Sequence, residues 1–189
     1  MRIFLTGATG FIGSAIVPEL INAGHQVLGL TRSEVGAQTL LAAGAEVHRG
    51  NLEDLESMRS GAAVSDGVIH CAFNHDFSNF LAICEQDRKV IEAMGDVLVG
   101  SDRPLIITSG TGMGNAFPGQ PATEDHFDPN HPNPRKASEV AGALVPVGSS
   151  NMVKVPICGM YLDSLMMAIF APSSRSITPN ALGPVPPGE

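Results

Sequence analysis

The sequence predicts an α/β protein built on a doubly wound, parallel β-sheet. Strand and helix patterns alternate along the chain, the predicted strands are short and almost entirely apolar, and a glycine-rich turn follows the first of them. Short apolar strands are typical of a parallel sheet that helices cover on both faces. We therefore expect three layers, α/β/α, with the strands in the central layer.

Each predicted strand is a short apolar run that ends at turn-forming residues. These runs cover residues 2–6, 25–31, 45–48, 67–72 and 103–109, and residues 151–156 form a candidate sixth strand. Helical spacing of apolar residues predicts the intervening helices, which cover residues 11–23, 34–43, 52–63, 77–99, 136–145 and 162–170.

Particular residues mark the ends of these helices. Gly24 and Gly44 follow the first two helices, at the position where glycine is favoured because it readily adopts a positive φ. Asn51 precedes the third helix and is a good N-cap residue. Pro18 lies inside the first helix, where proline predicts a kink or an interruption.

Composition argues against two classes of partner. The 189 residues include 11 Lys+Arg and 19 Asp+Glu, so the formal net charge is −8 at pH 7. Nucleic acids and anionic membranes bind basic surfaces, so we expect neither as a partner.

No run approaches the ~20 apolar residues of a membrane span, and the N-terminus lacks a signal-peptide pattern. The 3 cysteines have unrelated spacing, which favours reduced thiols and a cytoplasmic location.

The glycine-rich turn after the first strand is the strongest functional signal. Gly7, Gly10 and Gly13 form a GxxGxxG pattern within TGATGFIG, residues 6–13. The first glycine allows the turn, the second lets the backbone approach a pyrophosphate, and the third lets the helix pack on the strand. Amides at the start of the helix then bind the phosphates. The pattern predicts a Rossmann-like dinucleotide-binding domain, with a structural turn as the alternative.

This segment resembles the signature of the extended short-chain dehydrogenases/reductases, the NAD-dependent epimerase/dehydratase family. The resemblance continues through GNLED at 50–54, VIHCAF at 68–73 and LIITSGT at 105–111, and covers about residues 1–145. Asn51 stands where the family has an aspartate that contacts adenine. The motif and the resemblance together predict these cofactor-binding residues: Gly7, Thr9, Gly10, Phe11, Ile12, Gly13, Arg32, Ser33, Asn51, Leu52, Cys71, Ala72 and Phe73.

The end of the second predicted strand bears on the choice of dinucleotide. An acidic residue at this point would bind the ribose 2′-hydroxyl of NAD, whereas an arginine accommodates the 2′-phosphate of NADP. The strand ends in Arg32 and Ser33, and the first carboxylate is Glu34. NADP is therefore the predicted cofactor and NAD the second choice. The alternative for Arg32 is a solvated loop arginine.

The resemblance also implies a catalytic tyrosine, and a lysine four residues later, but this sequence lacks the pair. Its single tyrosine is Tyr161, and the residue four positions on is a leucine. Alignment of the predicted helix at 136–145 puts Arg135 in the tyrosine position and Glu139 in the lysine position. Arg135 has two interpretations: it pairs with a phosphate or carboxylate, or it is a surface arginine beside a helix N-terminus. The sequence favours the second.

Ser109 and Thr111 follow the fifth strand and remain as candidate catalytic residues, because the family places a serine or threonine there. Loop capping is the alternative for both. No residue set has the spacing of a defined metal site, and His126 and His131 are predicted to lie in a solvated polar loop. Cys71 is interpreted as a small buried hydrophobe and not as a nucleophile.

The predicted organisation is an NAD(P)-binding domain at residues 1–157 and a short apolar, proline-rich segment at 158–189, with little or no substrate lobe. This arrangement suggests a chain that is truncated, or whose C-terminal part is divergent or mis-spliced. An apolar face left uncovered would favour either a homo-oligomer or poor stability. The family resemblance implies an oxidoreductase or epimerase acting on a small carbonyl or nucleotide-sugar-like substrate. The missing tyrosine and lysine leave two alternatives open: a non-catalytic dinucleotide-binding module and an inactive truncated family member.

Overall fold

The computed structural model describes residues 1–109, 128–144 and 153–156. Its centre is a parallel sheet with strand order β3-β2-β1-β4-β5-β6. The predicted doubly wound α/β fold is thereby confirmed, and the candidate sixth strand is part of the sheet. The strands are β1 (Arg2–Thr6), β2 (Gln26–Thr31), β3 (Glu46–Arg49), β4 (Gly67–His70), β5 (Leu105–Ser109) and β6 (Val153–Pro156).

The helices lie between the strands in the predicted order. They are α1 (Phe11–Asn22), α2 (Glu34–Ala42), α3 (Leu55–Ala63), α4 (Phe80–Leu98) and α5 (Lys136–Leu144). A 3₁₀ turn at Phe77–Asn79 precedes α4, and α1 continues through Pro18 without interruption.

The prediction that α3 begins at residue 52 behind an Asn51 cap is wrong. The helix begins at Leu55, and Asp54 caps it by accepting a hydrogen bond from the Ser57 amide at 3.1 Å. The Asn51 side chain accepts instead from the amides of Glu53 and Asp54, at 2.8 and 3.1 Å. Asparagine and aspartate both favour helix starts and turns, so the sequence alone does not decide which one caps the helix.

Two hydrophobic cores lie on opposite faces of the sheet, because successive strand residues point to opposite sides. In β1, Phe4 points into the core shared with α3, α4 and α5. Its neighbours Ile3 and Leu5 point into the core shared with α1 and α2. Both cores are almost completely shielded from water, and they account for the three predicted layers.

Several predictions concern residues that the structure does not describe. These are the loop at 110–127, the predicted helix at 162–170 and the proline-rich segment within 158–189. Among the helices of the described ranges, none combines the length and the apolar character that crossing a membrane requires.

Candidate functional site

The candidate site lies at the carboxyl edge of the sheet, where β1 and β4 are neighbours. The chain proceeds from β1 outward to β2 and β3 on one side, then returns to β4 and continues on the other side. The connections on the two sides therefore diverge and leave a crevice at this point. In open α/β sheets, ligands bind in this crevice.

The glycine-rich turn follows β1 at this edge, and two of its glycines, Gly7 and Gly13, lie where a side chain would clash or strain the backbone. Gly7 has a φ of +67°, and a Cβ there would lie 2.7 Å from the Ala72 nitrogen. A Cβ on Gly13 would lie 2.1 Å from the Gly7 carbonyl oxygen, so this glycine allows α1 to pack against the turn. Gly10 precedes α1 and offers no side chain to cap it. The first amides of α1 therefore remain available to an anion.

A cleft of about 620 Å³ runs from this turn along the ends of β1, β2, β3 and β4. Most of the predicted cofactor-binding residues line it: Gly7, Thr9, Arg32, Ser33, Asn51, Leu52, Ala72 and Phe73. The rest of that set is not part of the lining: Gly10, Phe11, Ile12, Gly13 and Cys71.

Five polar residues of the cleft are absent from the predicted set, namely Thr31, Glu53, Asn74, His75 and Gln86. Asn74 and His75 directly follow the VIHCAF segment, so extending that segment by two residues would have included them. Gln86 reaches the cleft from α4. No local sequence signal distinguishes it from the other polar residues of that helix.

At the end of β2, the cleft presents a cation and a helix start. Arg32 is exposed, and it forms no ion pair with any of the described residues. The Ser33 hydroxyl oxygen caps α2 by accepting from the Gly36 amide at 3.0 Å, so its hydrogen remains free to donate. Glu34 does not line the cleft and forms an ion pair with Arg49. Hydrogen bonds from Gln38 and Arg49 lower the pKa of its carboxyl group.

Beside the cleft, a buried polar network joins the ends of β1 and β4 to α4 and α5. His70 is fully buried, with Nδ1 2.6 Å from the Thr6 hydroxyl and Nε2 3.0 Å from an oxygen of Asp87. The other Asp87 oxygen accepts hydrogen bonds from Arg135 and from the Ser138 hydroxyl, each at 2.5 Å. A buried carboxylate needs such partners, since burial alone disfavours its charge.

The expectation that Arg135 is a surface arginine is wrong. Its side chain is only 12% exposed, and it forms an ion pair with Asp87. It also donates to the Thr108 carbonyl oxygen at 3.2 Å, and its guanidinium carbon lies 4.0 Å from the centre of the Phe73 ring. The structure agrees with the alternative interpretation, in which Arg135 pairs with a carboxylate.

Among the remaining candidates, the structure describes the surroundings of Cys71 and Glu139. Burial raises the pKa of the Cys71 thiol to about 12, so this group is protonated at neutral pH, as expected of a hydrophobe. Glu139, in the predicted lysine position, is only 4% exposed. The Ser109 side chain, Thr111, His126 and Tyr161 lie outside the described residues. Within the described residues, no group of His, Cys, Asp and Glu side chains could hold a metal ion.

Comparison with known proteins identifies the family. The model of the NAD dependent epimerase/dehydratase family matches residues 3–133. The chain belongs to this family. The match spans the glycine-rich turn and the segments that line the cleft, in agreement with the resemblance inferred from the sequence.

The most similar curated relatives include two yeast proteins. An uncharacterized protein of Schizosaccharomyces pombe is 52% identical over 140 residues, which cover 74% of this chain and 47% of that protein. An uncharacterized protein of Saccharomyces cerevisiae is 50% identical over 113 residues, or 59% of this chain and 38% of that protein. This member of the epimerase/dehydratase family thus spans less than half the length of these relatives.

Solved structures share the fold at lower identity. UDP-glucose 4-epimerase of Thermotoga maritima, with UDP-glucose, has a TM-score of 0.59 at 22% identity, covering 76% of this chain and 49% of that one. Triphenylmethane reductase of Citrobacter sp., complexed with NADP(H), has a TM-score of 0.59 at 21% identity, covering 78% and 47%. At these identities the likeness establishes the fold.

Proposed function

We propose that this family member binds NADP(H) in the cleft at the carboxyl edge of its sheet. In this proposal, the amides at the start of α1 bind the pyrophosphate, and Arg32 with the Ser33 hydroxyl binds the 2′-phosphate. The Asn51 side-chain oxygen is already engaged by backbone amides, which leaves its NH₂ group to donate to an adenine edge. Ala72 and Phe73 supply the wall beside the glycine-rich turn.

The observation that carries the choice of NADP is the electrostatic character of the cleft at the end of β2. Arg32 and Ser33 line the cleft there, whereas Glu34 does not and is paired with Arg49. The acidic side chain that does line the cleft is Glu53, which lies beyond β3 and not at the end of β2. A dianionic phosphate is favoured beside an arginine and a helix start, and a ribose hydroxyl gains no carboxylate acceptor there.

A titration of the protein with NADP, NADPH, NAD and NADH, followed by calorimetry or thermal shift, tests this proposal. We expect tighter binding of NADP and NADPH, because only they carry the 2′-phosphate that Arg32 and Ser33 would bind. A ligand that binds the native state raises the melting temperature of the protein, so these two should raise it most. Replacing Arg32→Ala removes a charged hydrogen-bond donor and should weaken NADP binding roughly 10- to 100-fold. NAD binding should stay nearly unchanged.

Arg59→Ala is the matched control, because Arg59 forms an exposed pair with Glu56 and is absent from the cleft lining. It should leave the affinities for both dinucleotides unchanged. Equal binding of NAD and NADP by the unmodified protein would contradict the proposed preference. Failure to bind any dinucleotide would contradict the proposed function.

For the reaction, we propose oxidoreductase chemistry on a small carbonyl or nucleotide-sugar-like substrate, as family membership suggests. A specific observation favours a second candidate, a non-catalytic dinucleotide-binding module. Arg135, in the tyrosine position, is tied to Asp87, and a guanidinium does not exchange protons as a general acid or base near neutral pH. Transfer of deuterium from 4-deuterated NADPH to a panel of carbonyl compounds separates the two, since only the oxidoreductase gives a labelled product.

A further inference from the structure

The polar network beside the cleft begins and ends on one short segment of its wall. At one end, the Thr6 hydroxyl oxygen accepts a hydrogen bond from the Ala72 amide at 3.2 Å. At the other end, the Arg135 guanidinium carbon lies 4.0 Å from the centre of the Phe73 ring. Ala72 and Phe73 both line the cleft, and neither Thr6 nor Arg135 does.

The members between these ends are held too tightly to serve as ligand-binding groups themselves. His70 and Asp87 are almost completely buried, at 0% and 2% exposure. Because Thr6 already accepts from the Ala72 amide, its own hydrogen can donate to Nδ1 of His70, which leaves the Nε2 hydrogen for Asp87. Both the Thr6 hydroxyl and the two ring nitrogens of His70 then have a hydrogen-bond partner.

Arg135 is likewise committed to the protein. One nitrogen of its guanidinium donates to Asp87 and to the Ser138 hydroxyl, and the other donates to the Thr108 carbonyl oxygen. These contacts fix the plane of the guanidinium, and the ring of Phe73 lies against it. A cation beside the face of an aromatic ring is an attractive contact, so the fixed cation also holds the ring.

We propose that Arg135 and Thr6 are positioning residues that together set the 72–73 wall of the dinucleotide cleft, with Asp87 and His70 as the buried link between them. The inference rests on the proposed function for its ligand, and it assigns a role to the arginine that occupies the tyrosine position. In this role the arginine acts through Phe73 and does not touch the reacting atoms.

A double-mutant cycle on NADP affinity tests the Arg135 end. Arg135→Met and Phe73→Leu should each weaken NADP binding roughly fivefold or more, and the double variant should be no weaker than Phe73→Leu alone. This non-additivity distinguishes a positioning role from a structural one. Arg135→Lys should recover little of the affinity, because an ammonium lacks the planar fork that the three acceptors and the ring require.

The Thr6 end is tested by an isosteric pair. Thr6→Val removes the acceptor of the Ala72 amide and keeps the side-chain shape, whereas Thr6→Ser keeps the acceptor. We expect Thr6→Val to weaken NADP binding and to speed hydrogen exchange of the Ala72 amide roughly tenfold or more, with Thr6→Ser close to the unmodified protein. The exchange measurement needs no ligand, so it reports on the wall even if the proposed cofactor is incorrect.

The outcomes separate the two proposals. If the unmodified protein binds NADP but Arg135→Met and Thr6→Val leave its affinity unchanged, or if the effects of Arg135→Met and Phe73→Leu multiply, the positioning role is overturned and the proposed function stands. If no dinucleotide binds, the proposed function fails. In that case, an unchanged exchange rate of the Ala72 amide in Thr6→Val overturns the positioning role as well. Thr6→Val and Thr6→Ser leave the ion pair between Arg135 and Asp87 intact, so their comparison still decides for or against the positioning role if Arg135→Met does not fold.

Discussion

Asp87 shows how a single buried carboxylate couples the stability of this protein to pH. Burial raises its pKa, but the interactions with His70 and Arg135 and the hydrogen bond from Ser138 outweigh burial and lower the pKa from 3.8 to about 2. A carboxyl group with a depressed pKa in the folded state stabilises the fold at pH values above its unfolded pKa. That contribution is lost as the pH falls toward the folded value.

We expect the free energy of unfolding to fall by about 2 kcal/mol between pH 4 and pH 2 through Asp87, on the basis of the size of its shift. Denaturant titrations at several pH values measure this slope. Asp87→Asn should reduce the slope and should also be less stable at neutral pH, because Arg135 loses its partner. Asp102→Asn is the control, since Asp102 is exposed. An unaltered slope in Asp87→Asn would rule out this assignment.

Other carboxylates contribute little to the difference in pH slope between the unmodified protein and Asp87→Asn. The pKa values of Glu34, Asp76 and Glu85 are also lowered by hydrogen bonds from neighbouring side chains. These groups are exposed or nearly so, and water screens their interactions. They are also present in both variants, so their effects cancel in the comparison.

Arg135 also shows a limit of predicting the surroundings of a single residue from sequence. Its position beside a helix start was correctly predicted from the alignment, and its exposure was not. The partner that draws it inward, Asp87, is 48 residues away in the sequence, on a helix whose polar residues look alike. Pairing across that distance depends on how α4 and α5 pack, which local patterns do not encode.

At the scale of elements, Arg103 fixes the ends of two helices at the opposite edge of the sheet from the cleft. It donates to the carbonyl oxygens of Ala62 and Ser65 at the end of α3, each at 3.1 Å, and to that of Val97 in the last turn of α4 at 2.7 Å. Carbonyl groups in the last turn of a helix lack partners within the helix. A single cation thus donates to carbonyl groups at two helix ends and interacts favourably with both helix dipoles.

Arg103→Ala should lower the free energy of unfolding by about 2–4 kcal/mol, because several partly buried carbonyl groups lose a charged donor. Arg103→Lys should restore only part of this loss, since an ammonium cannot span both helix ends. Chemical denaturation of the purified variants measures both effects. Arg59→Ala, which removes an exposed pair, should stay within about 0.5 kcal/mol of the unmodified protein. A loss for Arg103→Ala no larger than that of the control would contradict this role.

For the molecule as a whole, the strand order predicts a gradient of stability across the sheet. β1 and β4 lie at its centre and are buried along nearly their whole length, whereas β3 lies at an edge and is exposed or half-buried throughout. Amide hydrogen exchange should therefore be slowest in β1 and β4 and fastest in β3. Mass spectrometry of exchanged peptides resolves the three strands. Equal protection of β3 and β1 would contradict the gradient.

The elements of this fold were largely predictable from sequence, because apolar runs, glycine stops and the strand–turn–helix context reflect local chemistry. The cleft was predictable where its residues belong to the glycine-rich turn or directly follow a strand, as for Arg32 and Ala72. Gln86, which reaches the cleft from the middle of α4, and the Thr6–His70–Asp87–Arg135 network were not predictable. These features depend on the packing of separate elements, which no single segment specifies.

The network beside the cleft also has a consequence for the order of events in folding. Its hydrogen bonds join residues 64, 51 and 48 positions apart in the chain, so each closes a long loop. Contacts of this kind are slow to form, because the entropy lost on closing a long loop precedes the energy gained. The glycine-rich turn, by contrast, is local and can form as soon as β1 and α1 meet. We therefore expect the glycine-rich turn to form early and the 72–73 wall late, after the sheet has brought its distant partners together.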